Sequence, residues 1–175
     1  MTDSIASAQP PEPGPRPTST DLAPRPRILA EARRWIGTPY HHRASLRGVG
    51  TDCLGLVRGV WRELYDEEPE PLPPYTQDWA EATGAETLLA AALRHLKPTD
   101  TPRPGDVLLF RLRPTGPARH CGILAEQAPI APHPMRGLSP PANQTLIHAL
   151  SPHHVTESPL TERWQKRIAG AFSYP

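Results

Sequence analysis

Apolar positions along the chain follow two regimes. In the first half they recur at helical spacing. Ile28, Leu29, Ala32, Trp35 and Ile36 predict one helix, stopped by Gly37 and Pro39. Leu54, Val57, Trp61 and Leu64 predict a second, from Cys53 to about Tyr65, with that stripe turned inward and Thr51 or Asp52 as its cap. A third has its core from Glu86 to Leu96, begins at Asp78 or Thr83, and is closed by Pro98 and Pro102. In the second half the pattern changes to short apolar runs bounded by turn residues. Pro104-Gly105-Asp106 precedes the run Val107 to Phe110; further strands are predicted at Ala118 to Glu126, Thr145 to Leu150, Val155 to Glu157 and Arg167 to Tyr174. Helices first and an antiparallel meander afterwards define an α+β class, with N-terminal helices packed on a mostly antiparallel sheet of about five strands.

Proline changes this picture at three places. The chain has 175 residues and 25 prolines. Residues 1–26 set Pro10, Pro11, Pro13, Pro15, Pro17, Pro24 and Pro26 among Ser, Thr and Ala, and read as a disordered extension ahead of one domain at 27–175. Glu67 to Pro74 and Gln127 to Pro141 read as loops. The formal net charge of +1 comes with no basic stripe, which argues against a nucleic-acid binder. Two cysteines do not make a disulfide framework for a chain of this length. The N-terminus lacks the features of a secretory signal. No apolar run approaches the roughly 18 residues of a membrane span, so no membrane insertion is expected.

Candidate chemistry gathers at Cys53. It opens an apolar helix behind the polar pair Thr51-Asp52. A helix N-terminus favours a thiolate over a thiol, as a nucleophile requires; a small buried hydrophobe is the other use of such a cysteine. Gly55 and Gly59 lie four apart on one helix face and predict close approach by a neighbour. A cysteine nucleophile needs a base and a third polar group that orients the base. His120 and His148 each interrupt an otherwise apolar strand, where an imidazole must find a partner. On successive strands they can lie side by side, with a helix on the sheet bringing Cys53 to His120. Each histidine taken alone is better accounted for by a backbone carbonyl partner; their joint presence downstream of Cys53 favours the catalytic reading.

In order along the chain, Gly37-Thr38-Pro39-Tyr40, Asp52-Cys53-Leu54-Gly55-Leu56-Val57, His120-Cys121-Gly122-Ile123 and Ile147-His148-Ala149 resemble the NlpC family of papain-like cysteine peptidases. Arg58-Gly59-Val60-Trp61-Arg62-Glu63 and Pro73-Pro74-Tyr75 resemble most closely its branch in the tail modules of phages and phage-derived gene transfer agents. The resemblance implies a papain-like fold, Cys53 as nucleophile, His120 as general base and then acid, His148 as the residue holding His120, and Tyr40 at the oxyanion. It implies no cofactor, hydrolysis between D-glutamate and a diamino acid in peptidoglycan stem peptides, and phage-like tail hub or tip proteins as partners. The expected place of action is the periplasmic cell wall, reached in a particle tail after synthesis in the cytoplasm. His41, His42, Arg43 and Asp52 are the candidate substrate-binding residues. The sequence departs from the family where His41-His42-Arg43-Ala44 replaces glycines, and at Cys121, which follows the base histidine in place of an aliphatic residue and is read as core filler.

The remaining candidates are less specific. Eight histidines and two cysteines show no zinc-ligand spacing, so no metal is expected. Trp35, Trp61 and Trp164 read as packing residues rather than sugar platforms, with Trp79, in a loop-like region, as the exception. Two other uses of the same scaffold stay open: an acyltransferase or amidase with the same chemistry, and a non-catalytic component of tail assembly.

Overall fold

The computed structural model describes residues 24–70, 85–126 and 144–175. The expected N-terminal extension up to residue 23, the stretch with Trp79, and the proline-rich loop at 127–143 lie outside the described residues.

Among the described residues, three helices precede and flank the sheet. Helix α1 (Arg25–Arg33) begins inside the stretch read as an extension, and its Arg25 is bonded to the buried Asp106 at 2.8 Å. A two-stranded ribbon, β1 (Ser45–Leu46) with β2 (Gly50–Thr51), leads into α2 (Cys53–Tyr65). Helix α3 (Thr87–His95) buries Leu88 and Ala92, one turn apart. The strands follow as β3 (Lys97–Pro98), β4 (Val107–Arg111), β5 (Ala118–Glu126), β6 (Gln144–Ala149), β7 (Val155–Pro159) and β8 (Ile168–Ser173), with the short helix α4 (Glu162–Gln165) before the last. The sheet order is β3-β8-β4-β5-β6-β7, every neighbouring pair antiparallel. The α+β class stands; the sheet has six strands rather than about five, because a two-residue strand such as β3 carries no periodic signal.

Both faces of the sheet are covered, which explains why its central strands read as unbroken apolar runs. One face sets Val107, Leu109, Cys121, Ile123, Ala125 and Ile147 against α1, α2 and α3. The other packs Leu108, Phe110, Leu124, Leu146 and Leu160 beneath Trp164 of α4.

The inward stripe of α2 is rotated from the expected one. Leu56, Val57, Val60 and Leu64 are buried, while Leu54 and Trp61 are half-buried. The glycines cause the rotation. A Cβ at Gly55 would stand 2.0 Å from the carbonyl oxygen of Ala44, and one at Gly59 would stand 2.0 Å from the indole of Trp35. Those two neighbours claim the glycine face as interior, and Leu56 and Val60 turn in with it. Replacing Gly59 by Ala adds helix propensity of about 1 kcal/mol but forces the Trp35 ring to move, which costs about 1–3 kcal/mol. The collision outweighs the propensity, so Gly59→Ala lowers the midpoint of thermal or denaturant unfolding; a raised midpoint contradicts this packing.

Candidate active site

Hydrogen bonds around the start of α2 fix the position of Cys53. Asp52 caps the helix, accepting the Gly55 N–H at 2.8 Å on one carboxylate oxygen and the Arg43 N–H at 2.7 Å on the other. Arg43 adopts a left-handed φ of 65° to make that turn. Thr51 N–H donates to Pro39 and His41 N–H to Thr51, at 3.0 Å each. On its other side the same segment is tied to the start of β7, with Gly37 N–H donating to Val155 at 2.9 Å and Tyr40 N–H to His153 at 2.9 Å. Gly37-Thr38-Pro39-Tyr40 therefore bridges the cysteine loop and the sheet edge, and puts Tyr40 where it feels the charges of Cys53, Asp52 and Arg119.

The histidines are placed by the sheet. β5 and β6 pair from Glu126↔Gln144 to Ile123↔Ile147. Beyond that point β5 continues beside β4 as far as Ala118, and β6 continues beside β7 to Ala149. The ladder between the two strands ends at that rung, one residue short of His148 and three short of His120. The registers of β4 with β5 and of β4 with β8 both shift next to Phe110, which faces His120 across the ladder. Such bulges bend a strand and re-aim its side chains. Gly122 makes room on the same face: a Cβ there would meet Leu146 at 2.8 Å and the His148 Cβ at 3.0 Å.

The result is a linear chain of polar groups. Cys53 stands close enough to His120 for the imidazole to lower its pKa. His120 Nε2 lies 2.9 Å from His148 Nδ1, and His148 Nε2 lies 2.9 Å from Ser158 Oγ. With Nε2 of His120 engaged, Nδ1 is the nitrogen left for the sulfur. Both imidazoles are 3% exposed, so each ring relies on these partners rather than on water. The Trp164 ring packs over both, with centroids 5.4 Å from His120 and 5.5 Å from His148.

Electrostatics divide the labour. The Cys53 thiol is held well below its ordinary pKa, first by a hydrogen bond from Cys121, then, against the opposing effect of burial, by the hydrogen bond and charge of His120. Cys121 is pushed up by the same contact with Cys53 and by burial, so it keeps its proton and serves as donor. Burial first, and then the charge of His120, lowers His148 to about 4, so it is neutral at physiological pH. Tyr40 is pushed up to about 12, chiefly by burial, and stays a phenol able to donate. A thiolate, a base, a neutral orienting imidazole and a phenol donor are the parts required for nucleophilic attack on a carbonyl.

Of the predicted site residues, Cys53, His120 and His148 are brought together, with Tyr40 alongside. Asp52 is corrected from the substrate-binding set: it is 3% exposed, and both carboxylate oxygens are taken by the helix cap and the Arg43 turn. His42 Nδ1 lies 3.6 Å from Asp52 in that same turn. His41 covers Gly50, where an added Cβ would stand 2.6 Å from its ring. Arg43 is exposed at the turn. Cys121 fills the core, as read, and also touches the candidate nucleophile, which was missed. The signal was available, because alternation along β5 turns position 121 toward the layer of α2. Ser158 had no sequence signal and emerges only from the pairing of β7 with β6. Among the described residues, no group of three or more His, Cys, Asp or Glu side chains is placed to hold a metal ion.

These features are those of a known class of fold. The NlpC/P60 family model matches residues 37–173, and the chain belongs to that family. The NlpC/p60 domain of the peptidoglycan hydrolase SagA is similar at 20% identity and a TM-score of 0.52, covering 86% of this chain and 99% of that one. NlpC1 from Trichomonas vaginalis is similar at 18% identity and a TM-score of 0.53, covering 86% of this chain and 44% of that one. An NLP/P60 protein similar to lipoprotein from Staphylococcus aureus gives 18% and 0.50, covering 90% and 45%. This chain thus spans under half the length of the last two. At these identities the likeness is one of fold. No curated protein sequence matches the chain.

The donor role of Cys121 is open to measurement. Alkylation of Cys53, followed against pH by peptide mapping, is expected to have its midpoint well below the ordinary thiol value of about 8.5. Cys121→Ala removes the donor and raises that midpoint, whereas Cys121→Ser keeps an O–H donor and holds it low. A Cys121→Ala midpoint equal to the native one contradicts the assignment.

Proposed function

We propose that this protein is a cysteine peptidase that hydrolyses peptide bonds of the peptidoglycan stem, cutting between D-glutamate and the following diamino acid. The observation that carries this reading is the Cys53 sulfur at the tip of α2, its pKa lowered by a neighbouring His120 whose ring lies 2.9 Å from His148. Membership of the NlpC/P60 family supports the reaction class, and the kinship in fold with a peptidoglycan hydrolase domain supports the substrate.

The chemistry follows from the geometry. Cys53 thiolate attacks the scissile carbonyl carbon, and the carbonyl oxygen gathers negative charge. The Tyr40 hydroxyl donates to that oxyanion. His120, carrying the cysteine proton, gives it to the departing amine as the C–N bond breaks. The acyl group is left on sulfur as a thioester. Water enters, His120 takes one of its protons, and the resulting hydroxide displaces the thiolate to release the acid. His148, neutral throughout, keeps the His120 ring in the plane of both transfers.

We further propose delivery in a phage-like or gene transfer agent tail, seated on hub or tip proteins and acting on the periplasmic wall. The resemblance of the segment from Gly37 to Trp79 to the phage-type branch supports it. Mass analysis of purified particles is expected to find the chain among the tail proteins, and a particle fraction without it counts against this placement.

Digestion of purified sacculi tests the reaction. The native chain releases fragments whose masses place the cut after D-glutamate, and Cys53→Ala releases none. Tyr40→Phe is expected to lower kcat by about 10²-fold, the effect of losing one oxyanion donor. Equal release by native chain and Cys53→Ala rejects the peptidase.

A further inference from the structure

The chain of bonded groups does not end at His148. Its outer nitrogen lies 2.9 Å from Ser158 Oγ, a contact that the proposed mechanism leaves unused. Ser158 sits two residues along β7 from Thr156, the residue paired with His148, and so shares its face of the sheet. His148 and Ser158 also line a cavity of about 360 Å³ together with His153, His154, Thr156 and Trp164.

We propose that Ser158 is a positioning residue that accepts the Nε2 proton of His148 and thereby holds His148 in the one tautomer that can support a protonated His120. The argument rests on the reading of Cys53 and His120 as nucleophile and base, and it follows proton by proton. When His120 has taken the cysteine proton, both its ring nitrogens are donors. Its Nε2–H then donates to His148 Nδ1, which must be bare. A neutral imidazole carries one proton, so that of His148 lies on Nε2 and points at Ser158 Oγ. Burial and the nearby His120 keep His148 neutral in this state.

The reversed alignment blocks the base. If Ser158 donates inward, His148 Nε2 accepts and its Nδ1–H donates to His120 Nε2. The His120 proton is then on the nitrogen facing the sulfur and cannot receive another. A hydroxyl can rotate between donating and accepting, and transfer of the cysteine proton selects the accepting orientation. Trp164 packs against both rings, perpendicular to His148 and tilted against His120.

Three sets of groups act on this chain. Cys53 and His120 act on His148, Cys121 and His120 act on Cys53, and Cys53, Asp52 and Arg119 act on Tyr40. His153 and His154 stand in the cavity beside His148.

The test uses the full-length chain and reads Cys53 alkylation by iodoacetamide against pH, which needs no substrate. Ser158→Ala is expected to raise the alkylation midpoint by about one pH unit and to lower kcat on sacculi about 10- to 100-fold, as loss of an outer partner of a site histidine does, with KM and the unfolding midpoint little changed. Ser158→Thr, which keeps the hydroxyl, restores both. An Ala variant with the native midpoint, or a Thr variant as impaired as Ala, overturns the role of Ser158. If the native chain shows a low midpoint but leaves sacculi intact, the substrate assignment fails while the alkylation series still judges Ser158. An ordinary thiol midpoint in the native chain overturns both.

Discussion

A sulfur at the first residue of a helix and an imidazole on a sheet can meet only where the sheet lets the helix tip reach its strands. Here that place is the end of the β5–β6 ladder at Ile123 and Ile147. His120 and Cys121 are consecutive and project to opposite faces, yet both act on Cys53. A closed ladder would put the sheet between His120 and Cys53. The register shifts beside Phe110 lie across the ladder from His120, and the bare Gly122 leaves space for Leu146 and the Cβ of His148.

Around that place each polar group is given one electrostatic state by its surroundings. Cys53 lies at the positive end of α2 with two donors and is biased to the anion. Cys121, a residue of the same chemistry, is buried in the strand layer and keeps its proton. Burial and the charge of His120 outweigh the opposing pull of Cys53 and keep His148 neutral, so it can accept from His120 without competing for the proton. Two cysteines and two histidines thus take four different roles from position alone. The scaffold that fixes them is polar and local: Asp52 locks the helix start to the Arg43 turn, and the Gly37–Tyr40 segment ties that turn to β7.

The sequence carried much of this. Asp52 before Cys53, the helix that follows, and the two histidines inside apolar strands were legible because capping and alternation are local rules. The proline punctuation at 104–106 marked the entry to β4 correctly, with Gly105 at a φ of 97°. Less legible was whatever depends on a partner distant in the chain. The inward face of α2 was misjudged at Leu54 and Trp61, because Trp35 and Ala44 decide which side of the helix is interior. The strands β1, β2 and β3 are two residues long and leave no pattern. Asp52 was offered to substrate, although its capping bonds take up the carboxylate. Ser158 belongs to this site only through the register that pairs His148 with Thr156, which no local rule supplies.

The central claim is that Cys53 is held as a thiolate by the donors facing it. Thiolate absorbs in the ultraviolet where the thiol does not, so a difference titration between the native chain and Cys53→Ala isolates this one group. The account predicts a thiolate step far on the acid side of an ordinary thiol, present in the native chain and missing from the variant. A native chain with no thiolate signal until the ordinary thiol range, about pH 8.5, would contradict it.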